Sequence, residues 1–83
     1  MTVRVIVDTI HDAERLSKAC NQFPYEMYLR AGSYCADPKS TLGVLAMMYQ
    51  DKNGLAIDTG DMPDKEQKSF IKAIAGFVRE DEE

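Results

Sequence analysis

A serine lies at the predicted start of a helix and is the residue best placed to carry chemistry. Ser40 belongs to the run Asp37–Leu45, which follows a short predicted strand and leads into an apolar helical segment. A serine here caps exposed backbone N–H groups, and the positive end of the helix dipole favours an anion. The run therefore fits either an ordinary capping serine or a phosphorylation site at Ser40.

Composition limits the classes of function that are open to the chain. The 83 residues suffice for one domain, 1–83, ending in an acidic segment, 79–83. The net charge of −4 argues against direct binding to nucleic acid. No apolar run is long enough to cross a bilayer, and the N-terminus lacks the layout of a signal peptide. We therefore expect a cytoplasmic protein that does not bind membranes.

The cysteines and acidic residues do not form a recognisable chemical site. Cys20 and Cys35 both fall within apolar patterns, so we expect two buried free thiols in a reducing compartment. The sequence contains no His/Cys cluster with metal-ligand spacing, no glycine-rich phosphate loop and no nucleophile–base pair. We expect neither a metal nor a cofactor, and we do not expect an enzyme.

The apolar periodicity alternates between strand and helix along the whole chain. It predicts the order β-α-β-β-α-β-α, an α+β fold with a four-stranded, mainly antiparallel sheet and three helices on one face. The predicted strands are 2–7, 25–30, 33–36 and about 55–59, and the predicted helices are 10–22, 40–49 and one that follows a turn at 60–63. The last helix has a predicted buried stripe of Phe70, Ile71, Ile74, Phe77 and Val78.

The element order and the serine run together resemble HPr, the small phosphocarrier of the bacterial sugar phosphotransferase system. The run from Ala36 to Leu45, with its pattern Ala-x-x-Lys-Ser-x-x-Gly-Val, is similar to the regulatory-serine segment of that family. The resemblance implies an open-faced β-sandwich and places Ser40 at the position phosphorylated by HPr kinase/phosphorylase. It further implies a catabolite regulator as a protein partner.

The active-site segment of the family is not retained. HPr proteins accept phosphate on a histidine within Gly-x-His-x-Arg-Pro-Ala, whereas this chain has Val7-Asp8-Thr9-Ile10-His11-Asp12-Ala13-Glu14. Aligning the apolar stripes of the helix puts Thr9 at the nucleophile position and His11 at the arginine position. The carboxylates beside His11 would repel a phosphoryl group. The chain therefore resembles the histidine-less branch of the family, of which Crh is the known type.

Three functional hypotheses follow from the resemblance and the residues. The first is a regulatory or adaptor protein controlled at Ser40, with no catalytic residue. The second is a working phosphocarrier that uses His11. The third is a non-signalling protein–protein interaction domain. The resemblance assigns partner binding to the apolar surface after Ser40, at Thr41, Leu42 and Leu45, and the adaptable side chain of Met48 extends this predicted surface.

Overall fold

Four strands and three helices form the fold in the computed structural model, which describes residues 1–49 and 54–78. The strands are β1 (Thr2–Val5), β2 (Tyr28–Ala31), β3 (Tyr34–Ala36) and β4 (Leu55–Asp58). The helices are α1 (Ile10–Cys20), α2 (Thr41–Met48) and α3 (Asp64–Ala73), and a 3₁₀ turn follows at Ala75–Phe77. The predicted order of elements and the α+β class are confirmed.

The sheet has the order β1-β4-β2-β3, and every neighbouring pair is antiparallel. Consequently β1 and β2 run parallel to each other with β4 between them, and α1 makes the connection. Only β2 and β3 are joined by a tight turn, in which Gly32 has a φ of +63° that favours glycine. The predicted four-stranded antiparallel sheet is therefore confirmed.

One face of this sheet carries the core and the other is open. Alternate residues of β1, such as Val3 and Val5, are buried, and so are Leu29 of β2 and Ile57 of β4. The period of two along each strand places their neighbours on the opposite face, where Arg4, Tyr28 and Arg30 are exposed. The three helices cover the buried face, as predicted for an open-faced sandwich.

The helices reach the core through single apolar stripes. Ala13, Leu16 and Cys20 of α1 are buried, at the spacing expected for one helical face. Phe70 anchors α3, and its ring meets Phe23 edge-on with 5.3 Å between the ring centroids. Burial of one such large apolar side chain contributes roughly 1.5–3 kcal/mol, so these stripes hold the helices on the sheet.

Several predicted boundaries are wrong by one to three residues: α1 ends at Cys20 rather than Gln22, and β3 and β4 are each one residue shorter than predicted. The first strand ends at Val5 rather than Val7, and β2 begins at Tyr28 rather than Tyr25. Ala31 belongs to β2, where it pairs with Tyr34, so the turn is formed by the next two residues. The predicted turn at 51–53 and the acidic end at 79–83 lie outside the described residues.

Three side chains that were predicted to be buried are exposed or only partly buried. Ile71 is exposed, because it lies beside Phe70 on the helix and turns away from the core, and Val78 is only partly buried. Cys35 is exposed, whereas Cys20 is buried as expected. Cys35 pairs with Arg30 in the sheet, and directly paired residues share a face, so its thiol lies on the open side.

Candidate functional site

Ser40 is the N-cap of α2, as the sequence predicts. Its backbone is extended, with φ −101° and ψ 119°, and its Oγ accepts a hydrogen bond of 3.1 Å from the backbone N–H of Gly43. The hydroxyl therefore already occupies the position at which a helix start binds an acceptor oxygen. Ser40 is half-buried, so part of its side chain remains accessible.

A tight turn before α2 fixes the position of Ser40. The backbone N–H of Ser40 donates to the Asp37 carbonyl at 3.0 Å, and the N–H of Lys39 donates to Asp37 Oδ1 at 2.9 Å. Gly43 lets this turn lie close to the helix, because a Cβ there would come within 3.0 Å of the Asp37 carbonyl oxygen. The spacing between Asp37 and Gly43 in the sequence run thus has a steric reason.

Two side chains of α1 hold the turn from the other side. Ser17 Oγ and Asn21 Nδ2 both donate to the carbonyl oxygen of Lys39, at 2.8 and 2.9 Å. Ser17 is almost fully buried, so this hydrogen bond satisfies a polar group within the core. We call Ser17, Asn21 and the Lys39 carbonyl the carbonyl clamp; it couples α1 to the start of α2.

Sequence reasoning missed the carbonyl clamp, although one signal was available. Ser17 lies four residues after Ala13 and three before Cys20, so it falls within the apolar stripe of α1. A polar residue on a buried helical face requires a hydrogen-bond partner from elsewhere. The sequence could therefore have indicated a contact, but not that the acceptor would be Lys39.

The helix that follows Ser40 presents an apolar outer surface. None of the eight residues of α2 is charged, and the helix buries Val44 and Met47. Leu42 is 77% exposed, whereas the other three residues predicted for partner binding are half-buried: Thr41, Leu45 and Met48. Tyr49, just after the helix, is 76% exposed. We call Leu42, Leu45 and Tyr49, which are spaced as one helical stripe, the α2 surface.

His11 lies within α1 rather than in the preceding loop, and Thr9 caps that helix. Thr9 Oγ1 accepts from the backbone N–H of Asp12 at 3.0 Å. The His11 side chain is 91% exposed, and its Nδ1 lies 3.9 Å from a carboxylate oxygen of Glu14. The negative charge of the Glu14 carboxylate would repel a phosphoryl group that approaches this imidazole.

The arginine nearest to His11 in sequence is engaged elsewhere. Arg15 forms an ion pair of 2.7 Å with Asp12, and its guanidinium lies 5.2 Å from the centroid of the Phe77 ring. The hydrogen bond from Arg15 holds the pKa of the Asp12 carboxyl below its usual value. Arg15 therefore neutralises Asp12 and does not assemble a phosphate site with His11.

The thiols differ in their environment. Burial raises the pKa of the Cys20 thiol to about 12, so the thiolate, the reactive form, is scarce at neutral pH. Cys35 lies on the open face of the sheet.

Across residues 1–49 and 54–78, no three His, Cys, Asp or Glu side chains are grouped as metal ligands, and no helix is long and apolar enough to span a membrane.

Comparison with known proteins does not assign the chain to a family. No family model, no curated protein and no solved structure matches it. The functional interpretation therefore depends on the geometry around Ser40 and on the sequence resemblance.

Proposed function

We propose that this chain is a cytoplasmic regulatory or adaptor protein of the HPr-like type, related to the sugar phosphotransferase system. It docks on a protein partner through the α2 surface, and phosphorylation of Ser40 controls the docking. The observation that carries the proposal is the adjacency of the capping Ser40 to Leu42, the most exposed of the large apolar side chains in the described residues. HPr kinase/phosphorylase and a catabolite regulator are the partners that the resemblance suggests.

The electrostatics of α2 support a switch at this position. A phosphate on Ser40 would add about two negative charges and up to three charge-assisted hydrogen bonds. The backbone amides of the first helical turn and the cation of Lys39 are the groups nearest in sequence to stabilise it. Because α2 itself has no charged residue, the phosphate would make the otherwise uncharged surface next to Leu42 negatively charged.

Incubation with HPr kinase and ATP tests the switch. Intact-mass and peptide mass spectrometry should show one phosphate, located at Ser40 and absent from Ser40→Ala. The exposed Ser69→Ala variant on α3 is the matched control and should be labelled like the parent. Failure to label under conditions that fully label an authentic HPr counts against control at Ser40.

A carrier role for His11 has less support, because Glu14 lies beside the imidazole and Arg15 is engaged with Asp12. Incubation with phosphoenolpyruvate and Enzyme I should leave the chain unlabelled. An acid-labile, base-stable phosphoryl group that disappears in His11→Ala would establish the carrier instead.

Assembly without signalling is the second candidate, and the charge-free composition of α2 favours it. An exposed apolar helix surface is a common interaction site in small domains. Sedimentation velocity over a range of concentrations tests assembly. Loss of a concentration-dependent species in Leu42→Glu, but not in Ile71→Glu on α3, would assign the contact to the α2 surface.

A further inference from the structure

A groove of about 650 Å³ opens beside the sheet, within the range of volumes typical of binding sites. One wall is the segment from Pro24 to Tyr28, which leads into β2. The other wall is formed by Cys35, Ala36, Asp37 and Lys39, where the chain leaves β3. The groove begins at the last two β2–β3 pairs, which include Cys35 and Ala36, and extends to where the two segments diverge.

Local structure keeps the two walls apart. After Ala36 the chain does not continue along β2, because Pro38 is buried and has no N–H to donate to the sheet. The carbonyl clamp draws Lys39 towards α1 instead. The groove is therefore a consequence of how the turn before α2 is anchored, and it is present without a bound partner.

The groove combines carboxylates with aromatic rings. Glu26 and Asp37 line it, and Lys39 is the one cation among its lining residues. Tyr25 and Tyr28 supply two rings, and the Tyr28 hydroxyl donates to Glu26 Oε1 at 2.9 Å. That contact raises the pKa of Tyr28 and keeps the carboxylate next to the ring. A ring face beside a carboxylate favours a cation.

A second groove of about 490 Å³ extends the same surface. It shares Tyr25, Glu26 and Tyr28 with the first groove and adds Asp61 from the loop between β4 and α3. Three carboxylates therefore line the combined surface against one ammonium group. The excess of negative charge agrees with the net charge of −4 for the chain.

We propose that this groove binds an arginine side chain of a partner protein. A guanidinium is planar, so it stacks on a tyrosine ring while donating paired hydrogen bonds to a carboxylate at its edge. An ammonium group is more strongly hydrated and lacks the planar fork, so lysine is the poorer ligand. Within the chain the Arg30 guanidinium already lies 5.8 Å from the Tyr28 ring centroid, so a partner arginine would stack on Tyr25, the other ring of the groove.

Titration of the full chain with Nα-acetyl-arginine amide, followed by amide chemical shifts, tests the site. Shifts should concentrate in the segments 24–28 and 35–39. Nα-acetyl-citrulline amide, a neutral analogue of the same size, should give none of them. Glu26→Gln should weaken binding roughly two- to fivefold, the range expected for one exposed charged or cation–π contact.

Two further variants distinguish binding in the groove from a general effect of the net charge of the chain on binding. Lys39→Gln should strengthen binding by a similar factor, because it removes the competing cation while the clamp uses only the backbone carbonyl of residue 39. Glu14→Gln, the same charge change on α1, should leave the affinity unchanged. Equal weakening by Glu14→Gln, equal shifts with citrulline, or shifts outside the two segments and residues 60–62 of the second groove would overturn the assignment.

Discussion

The carbonyl clamp allows a quantitative prediction, because two donors share one acceptor. In Ser17→Ala the Lys39 carbonyl keeps its bond from Asn21, so the loss is that of one ordinary hydrogen bond, about 1 kcal/mol. Asn21→Ala also removes a bond of 2.9 Å to the Ser17 carbonyl, and we again expect about 1 kcal/mol. Only the double variant leaves the Lys39 carbonyl without either donor.

The two substitutions should therefore not be additive. A buried acceptor deprived of every partner costs about 1–3 kcal/mol, and Lys39 is half-buried, so the low end applies. The double variant should therefore lose the two single losses and about 1 kcal/mol more, about 3 kcal/mol in all. Urea unfolding measures these values directly, provided that the slope against urea concentration stays constant. For a domain of this size, 1 kcal/mol also corresponds to about 4–8 °C in Tm.

A suitable control and a clear negative result are available. Ser69→Ala removes the same hydroxyl from an exposed position on α3 and should change stability by less than about 0.5 kcal/mol. Two results would contradict the inference that both donors bind one carbonyl. One is a loss of stability in Ser17→Ala no larger than in this control, and the other is a double variant whose loss equals the sum of the two single losses.

Four further outcomes follow from the site and the core. Ser40→Ala should destabilise the fold by about 1 kcal/mol through loss of the cap, and Ser40→Asp should restore most of it, as thermal unfolding will show. Leu42→Glu should change stability by less than about 0.5 kcal/mol because the side chain is exposed, whereas Met47→Ala in the core should cost about 2–5 kcal/mol in the same urea assay. Iodoacetamide should modify Cys35 in the native protein and Cys20 only after unfolding. The pKa of the Cys20 thiol is about 12 in the folded protein, against 9.0 for an ordinary thiol, so the unfolded chain loses this proton at a lower pH. The free energy of unfolding should therefore fall as the pH rises from 9.0 to about 12, as urea unfolding at several pH values will show.

The order of elements could be predicted because it depends on local pattern. The alternation around Met27 and Leu29 indicates a strand with one buried face, and both side chains are buried. The caps at Thr9 and Ser40 also follow from sequence, since a hydroxyl before an apolar helical segment binds its own first turn. These features need only residues within a few positions of one another.

The errors arise where distant segments decide the outcome. Cys35 is exposed because of its pairing with Arg30, and an apolar pattern within one strand does not define which face meets the helices. Ile71 is exposed because α3 turns Phe70, its neighbour on the helix, towards the core, and Phe77 returns to the core only through the 3₁₀ turn after α3. The carbonyl clamp likewise joins residues 18 and 22 positions apart, and the walls of the groove lie about 11 residues apart, beyond the reach of local pattern.

The central place of β4 has a consequence for how the chain acquires its structure. β4 separates β1 from β2, yet it comes last in the sequence among the four strands of the sheet. During synthesis the first 49 residues contain β1 and the β2–β3 hairpin but not the strand that joins them. Contacts so distant in sequence slow folding, because the intervening chain must be ordered before they form. The nascent chain therefore holds α1 and α2 without a complete sheet until Leu55–Asp58 has left the ribosome.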